Sequence, residues 1–82
     1  MNSRITVTLV LNGEEHDFSL PADTQIKDYE GKLTALLPEV FRGLSPDAGI
    51  LYLKNQDGFF STDRALRDYG VMDGARVEVV YL

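Results

Sequence analysis

Between Arg4 and Leu11 the chain alternates: Ile5, Val7, Leu9 and Leu11 fall on one side, and Thr6, Thr8 and Val10 on the other. A period of two in residues rich in β-branched types predicts a strand with one buried face. Asn12-Gly13 follows, a dipeptide that readily takes positive φ at both positions and closes a two-residue hairpin. The returning strand covers about residues 14–20, with Phe18 and Leu20 inward and His16 on the same side. Pro21 stops it. The period then lengthens. Ile26, Tyr29, Leu33, Leu36 and Leu37 recur at steps of three and four, one apolar stripe on a helix. Asp23 and Thr24 are suited to cap that helix, which should start near Gln25.

Gly31 lies inside this helix at a cost of about 1 kcal/mol relative to alanine. Pro38 should kink or end it near Leu37. A short second helical piece from Pro38 to Arg42, closed by Gly43 in the left-handed conformation, is expected next. The segment from Leu44 to Gly49, rich in turn residues, reads as a loop. A third strand runs from Ile50 to Lys54 with Leu51 and Leu53 inward. Residues 55–58 form a turn, and Phe59-Phe60-Ser61 a short fourth strand. Asp63 to Tyr69 forms one helical turn, capped by Thr62 or Asp63 and ended by Gly70. After a turn at Met72-Asp73-Gly74, a last strand covers Arg76 to Leu82, with Val77 and Val79 on one face and Glu78 and Val80 on the other.

The order is two strands, a helix, two strands, a turn and a strand. If the last strand lies beside the first, it runs parallel to it between the two hairpins, and the single helix covers one face. The fold class expected is therefore α+β: a β-grasp with a mixed sheet of about five strands and one main helix packed on one face. Residues 1–82 are expected to form one domain, since 82 residues suffice for one thin core and leave little room for a deep cavity.

Charge narrows the function. Thirteen acidic residues against eight basic ones give a formal net charge of −5, and no stretch concentrates lysine and arginine. Such a surface repels phosphate backbones and anionic headgroups, so neither nucleic acid nor lipid is an expected partner. The chain has no cysteine, which excludes disulfides, thiol catalysis and cysteine-based zinc sites. The first residues alternate polar and apolar, unlike a signal peptide. No window approaches 18 apolar residues, so membrane insertion is not expected. A cytoplasmic location is the default reading.

The candidate chemistry is sparse. His16 is the only histidine. Glu14, Glu15 and Asp17 are near it in sequence, but residues 15 and 17 point away from 16 on a strand, and a metal or catalytic site needs convergent ligands. None of Ser3, Ser19, Ser45 and Ser61 has the setting of an activated nucleophile. Asp57-Gly58 and Asp73-Gly74 lack the alternating oxygen ligands of a calcium loop and read as turns. No catalytic, cofactor-binding or metal-ligating residue is expected. Apolar residues that the strand parity places outward are more informative. If Leu51 and Leu53 face the helix, Tyr52 faces solvent. If Phe60 is buried, Phe59 is not, and Val80 is outward if Val77 and Val79 are inward. Strand order brings Tyr52 and Val80 together, and these three residues are the expected protein-binding site.

Several stretches resemble ubiquitin. Pro21-Ala22-Asp23-Thr24 followed by Ile26, Tyr29 and Leu33 is similar to the start of its helix, and residues 43–47 resemble the loop that leaves it. Leu66-Arg67-Asp68-Tyr69-Gly70-Val71 resembles the Leu-x-Asp-Tyr-x-Ile run before the last strand. The resemblance implies structural roles for Leu66, Asp68 and Tyr69, with the tyrosine packed beneath the loop before the last strand and its hydroxyl bonded to backbone. It also places Tyr52 and Val80 where ubiquitin has its main recognition patch. The sequence departs from ubiquitin in ending Val79-Val80-Tyr81-Leu82 without a Gly-Gly tail, and in a helical region about five residues longer. With the closing run from Asp73 to Val79, these traits resemble the YukD/EsaB family that accompanies bacterial type VII (ESX-like) secretion systems. The resemblance implies a non-catalytic accessory module that is not conjugated to other proteins. Its implied partner is a protein, such as a cytosolic domain of a secretion-machinery subunit. Two alternatives stay open: the N-terminal domain of a larger EccD-type membrane component, and a modifier or sulfur carrier with a further Gly-Gly tail.

Overall fold

The computed structural model describes residues 3–44 and 49–82. The N-terminal Met1-Asn2 and most of the loop expected between Leu44 and Gly49 lie outside the described residues, as does part of the resemblance drawn over residues 43–47. The first hairpin forms as the alternation requires: β1 is Arg4–Leu11 and β2 is Glu14–Pro21. Asn12 and Gly13 both have positive φ, 51° and 83°, the turn that matches strand twist. β3 (Leu51–Asn55), β4 (Gly58–Phe59) and β5 (Arg76–Tyr81) complete a five-stranded sheet in the order β2-β1-β5-β3-β4. β5 runs parallel to β1 and antiparallel to β3. The mixed sheet with a single main helix, α1 (Glu30–Val40), is the β-grasp architecture expected from the sequence.

Inward side chains from both layers form the core: Val7, Leu9, Leu51, Leu53, Val77 and Val79 from the sheet meet Leu33, Leu37 and Phe41. Each fully buried side chain of this kind contributes about 1.5–3 kcal/mol. Ile50 and Leu82 extend the β3–β5 ladder by exchanging backbone hydrogen bonds of 2.9 and 3.1 Å. Gly49 makes that approach possible, because a Cβ there would stand 2.5 Å from the Leu82 carbonyl oxygen.

The helical region departs from expectation in four ways. First, it does not start at Gln25 under a cap from Asp23 or Thr24. A 3-10 turn covers Ile26–Asp28, and α1 begins only at Glu30. The amides of Ile26 and Lys27 donate to the carbonyls of Arg64 and Thr62, so a distant loop takes the donors that a capping side chain would have satisfied. Asp23 is occupied elsewhere, paired with Arg67 at 2.9 Å. Second, Pro38 does not end the helix, which continues to Val40. A proline in a helix interior costs about 3 kcal/mol. Leu37 and Phe41, on either side of it, are both fully buried and together outweigh that. Third, the second helical piece is absent: Phe41 is extended, with φ −91° and ψ 121°, and Gly43 has no positive φ. Fourth, Leu36 is 42% exposed although it belongs to the apolar stripe. It overhangs β2, the edge of the sheet, where no further strand covers it.

Near the second turn, β4 is shorter than expected. Phe60 still donates its amide to Leu53, but Ser61 turns its amide to a side chain. The expected turn from Asp63 to Tyr69 is a 3-10 helix over Leu66–Tyr69, capped through Ala65 rather than Thr62 or Asp63. Gly70 ends it in the left-handed conformation, as expected.

Candidate functional site

Parity places Tyr52, Val80 and Phe59 on the sheet face away from α1, and the strand register brings them together. Tyr52 is directly opposite Val80 in the β3–β5 ladder. Phe59, on β4, reaches the Tyr52 ring edge-to-face with centroids 5.8 Å apart. Tyr52 is 37% exposed and Phe59 53%, while Val80 is half-buried between its neighbours. A shallow apolar depression runs from Tyr52 and Phe59 to Leu82. Lys54, two residues along β3 from Tyr52, holds its ammonium 5.5 Å from the Phe59 ring centroid and 3.7 Å from Glu78. Leu82 and Lys54 have the same outward parity as Val80 and Tyr52, but only the position of the short β4 brings Phe59 to Lys54 and to the depression that Leu82 lines.

The face changes character toward β1 and β2. There Thr8 donates to Asp17 at 2.7 Å, and Arg76 makes a two-pronged pair with Glu15 at 2.7 and 2.8 Å. The Arg76 guanidinium holds the Glu15 carboxyl below the ordinary carboxylate range. The apolar group is therefore confined to the β5–β3–β4 side, rimmed by Lys54 and Glu78. A contiguous apolar group with a polar rim is what a recognition surface requires.

The three residues with expected structural roles lie beneath this side. Leu66 is fully buried. The Asp68 carboxylate accepts the Ala65 amide at 3.0 Å, and the Asp68 amide donates back to the Ala65 carbonyl. The Tyr69 hydroxyl accepts the Ser61 amide at 2.6 Å, and its ring stacks on Phe60 with centroids 4.3 Å apart. Tyr69 thus anchors the loop that follows β4, directly behind Phe59.

His16 is not isolated. Its Nε2 donates to Glu14, whose other carboxylate oxygen accepts the Arg42 amide at 3.3 Å, and its ring meets Phe41 edge-on. Glu14 and His16 share a strand face, and the helix end closes over them. The hydrogen bond from His16, helped by the Arg42 amide, holds the Glu14 carboxyl below the ordinary range. This is a clasp between hairpin and helix, with no third ligand: among the described residues, no group of three or more His, Asp or Glu side chains is placed to hold a metal ion. The Asp73 carboxylate, in one of the two Asp-Gly turns, accepts the Thr6 amide at 2.6 Å. No helix among the described residues is long and apolar enough to cross a membrane.

No protein-family profile matches the chain, and no curated protein matches it. Solved structures do. The ubiquitin-like domain of the type VII secretion protein EccD1 of Mycobacterium tuberculosis is similar at a TM-score of 0.82 and 25% identity, over 95% of this chain and 98% of that one. The EccD5 ubiquitin-like domain from Mycobacterium xenopi gives a TM-score of 0.82 at 22% identity, over 98% of this chain and 96% of that one. A chain of an ESX-5 inner membrane complex matches at a TM-score of 0.78 and 18% identity, over 96% of this chain but only 21% of its own length.

Proposed function

We propose, from the ubiquitin-like fold and its likeness to the EccD domains, that this chain is a non-catalytic protein-binding module of a bacterial type VII (ESX-like) secretion machinery. It engages a cytosolic domain of another subunit through the sheet face around Tyr52, Phe59 and Val80. The observation that carries this reading is the Tyr52–Phe59–Val80 cluster itself. Its aromatic rings are held by a rigid ladder and face away from the core, so they lose little freedom on binding. Its ionisable neighbours are engaged with one another, as Lys54 is with Glu78, and offer no free acid–base pair.

Two arrangements fit. In one, the chain acts alone, as the YukD/EsaB resemblance implies. In the other, it is the ubiquitin-like part of an EccD-type membrane component, and the likeness to EccD1 at 25% identity favours this one. Tyr52→Ala and Val80→Asp test the shared premise. Truncating an aromatic anchor costs about 2 kcal/mol or more of binding, roughly thirtyfold, with little effect on a fold that does not bury it. Tyr52→Ala should melt close to wild type and Val80→Asp, at a half-buried position, about 1–2 kcal/mol below it, yet both folded variants should lose capture of the cognate secretion subunit and fail in a secretion assay. Folded variants that support full secretion would remove this face from consideration.

A further inference from the structure

The chain has three steps in which glycine follows asparagine or aspartate: Asn12-Gly13, Asp57-Gly58 and Asp73-Gly74. Each sets a side-chain carbonyl carbon beside a backbone amide that no side chain obstructs, so the glycine nitrogen can attack that carbon and close a five-membered ring. The electrophile differs between them. A carboxamide expels ammonia, whereas an aspartate is ionised at neutral pH and its carboxylate is a poor electrophile. The fold separates the three further, by whether it leaves the attacking nitrogen and the attacked group free.

At Asp73-Gly74 both groups are engaged. The Asp73 carboxylate accepts the Thr6 amide at 2.6 Å, and the Gly74 amide donates to the Thr6 carbonyl at 2.7 Å. At Asp57-Gly58 the glycine lies opposite Asn55 in the β3–β4 ladder. The Phe60 amide bonds to Leu53, so by alternation Gly58 bonds to Asn55. Asn55 itself precedes Gln56, whose side chain obstructs the approach, and its Oδ1 accepts the Asp57 amide at 2.8 Å. Asn12-Gly13 is different. Both residues are exposed at the tip of the first hairpin, and among the described residues neither the Asn12 carboxamide nor the Gly13 amide makes a hydrogen bond. A Cβ on Gly13 would meet nothing within 4 Å, so the ring has room. The turn holds Asn12 at φ 51°, and bringing the Gly13 nitrogen to the carboxamide carbon requires the tip to open. Only the Leu11–Glu14 rung must loosen, at the end of the ladder where opening costs least.

We propose that Asn12 is a modification site at which the folded chain deamidates. The Gly13 nitrogen bonds to the Asn12 Cγ and gives up its proton, and the Asn12 amide nitrogen leaves with that proton as ammonia. Water then opens the succinimide at one of its two carbonyls, giving aspartate or isoaspartate, and nothing is oxidised or reduced. Either product adds a negative charge to a chain that already carries −5, two residues from Glu14. Aspartate keeps the turn, because Asp-Gly suits the same geometry as Asn-Gly. Isoaspartate lengthens the backbone by one atom at the tip, so Leu11 and Glu14 no longer meet across an ordinary two-residue turn. Glu14 is the residue through which the hairpin holds His16 and the Arg42 amide at the end of α1. Deamidation at the tip therefore loosens that clasp, and isoaspartate does so more than aspartate.

The test is incubation of the intact chain at mildly alkaline pH, followed by ion-exchange chromatography and tryptic mass mapping. A more acidic species should accumulate, with its change confined to the peptide Ile5–Lys27, in which Asn12 is the only asparagine. Isoaspartate in that peptide should accept a methyl group from a protein isoaspartyl methyltransferase. Because only the hairpin tip must open, the rate should lie within about tenfold of that in the urea-unfolded chain. Asn12→Gln, whose attack would close a less favourable six-membered ring, should not convert in the same period. Asn12→Asp should co-elute with one product and melt close to wild type. In the separated isoaspartate form the NMR signals of the His16 ring and the Arg42 amide should shift, and by less in Asn12→Asp. The proposal is overturned if the folded chain converts more slowly than that limit, if Asn55 deamidates first, or if isoaspartate forms first at Asp57 or Asp73. Conversion of Asn12→Gln as fast as wild type would also overturn it. Unchanged His16 and Arg42 signals in the isoaspartate form would overturn the link to the clasp.

Discussion

Among single residues, the tyrosines divide most sharply by what their hydroxyls touch. Tyr69 accepts the Ser61 amide, and Tyr69→Phe removes that bond. Ser61 is exposed, so water replaces the lost partner and the cost should be about 1 kcal/mol in a denaturant melt. Tyr69→Ala also removes the ring stacked on Phe60 and should cost about 2–4 kcal/mol. A Tyr69→Phe variant as stable as wild type would show that the loop after β4 needs no anchor. Tyr29 is the reverse case, with a buried hydroxyl that has no partner among the described residues. Tyr29→Phe should leave stability unchanged or raise it by up to about 1 kcal/mol. The pH dependence follows with its sign. Burial raises the Tyr29 ionisation from 10.0 to about 12, so the folded chain holds this proton more tightly than the unfolded chain. Stability is therefore lost as pH rises from about 10 towards 12. Tyr29→Phe should flatten that decline, leaving the smaller part due to Tyr81, which burial also raises. The run from Leu66 to Val71 marked Tyr69 because its spacing belongs to a known pattern. Nothing local marked Tyr29, whose solvation depends on the strand it packs beside.

At the level of elements, the strands were legible almost to the residue, because a period of two admits only one inward set. Val7 and Leu9, Leu51 and Leu53, and Val77 and Val79 all lie where alternation puts them. The helix was legible in its stripe but not in its ends. Its expected caps failed because backbone carbonyls of residues 62 and 64, distant in sequence, satisfy the first amides. Pro38 misled for a related reason: local preference argued for a stop, while Leu37 and Phe41 are fixed in the core on either side. Pro38→Ala should therefore stabilise the chain. It restores a helical donor worth up to about 3 kcal/mol, offset by about 0.4–1 kcal/mol of extra freedom in the unfolded chain. A net gain of about 1–2 kcal/mol is expected in a urea melt. A loss would mean that α1 is adapted to the proline.

Across the whole molecule, an ion pair and a side chain-to-backbone hydrogen bond join elements that are far apart in sequence. Glu15 and Arg76 link β2 to β5 across β1, and Glu14 ties the hairpin to the end of α1. Both carboxyls are held below their ordinary value of 4.5 in the folded chain, Glu15 chiefly by Arg76 and Glu14 chiefly by His16. The folded state therefore releases these protons more readily than the unfolded state. Their stabilisation is present above about pH 4.5 and is lost as pH falls through the depressed values. Thermal melts from pH 7 to pH 3 should show this decline, and Glu14→Gln with Glu15→Gln should make it shallower. An unchanged profile would show that the two contacts add nothing in solution. By itself the sequence determined the strand faces, the hairpin turn and the outward set of Tyr52, Phe59 and Val80, because alternation and turn chemistry act between neighbours. Only the tertiary structure decided where α1 begins, that Leu36 remains uncovered, and that the Tyr29 hydroxyl is buried without a partner among the described residues. Those outcomes depend on which strand forms the sheet edge and which distant backbone fills an unmet hydrogen bond, and no local window of sequence contains either.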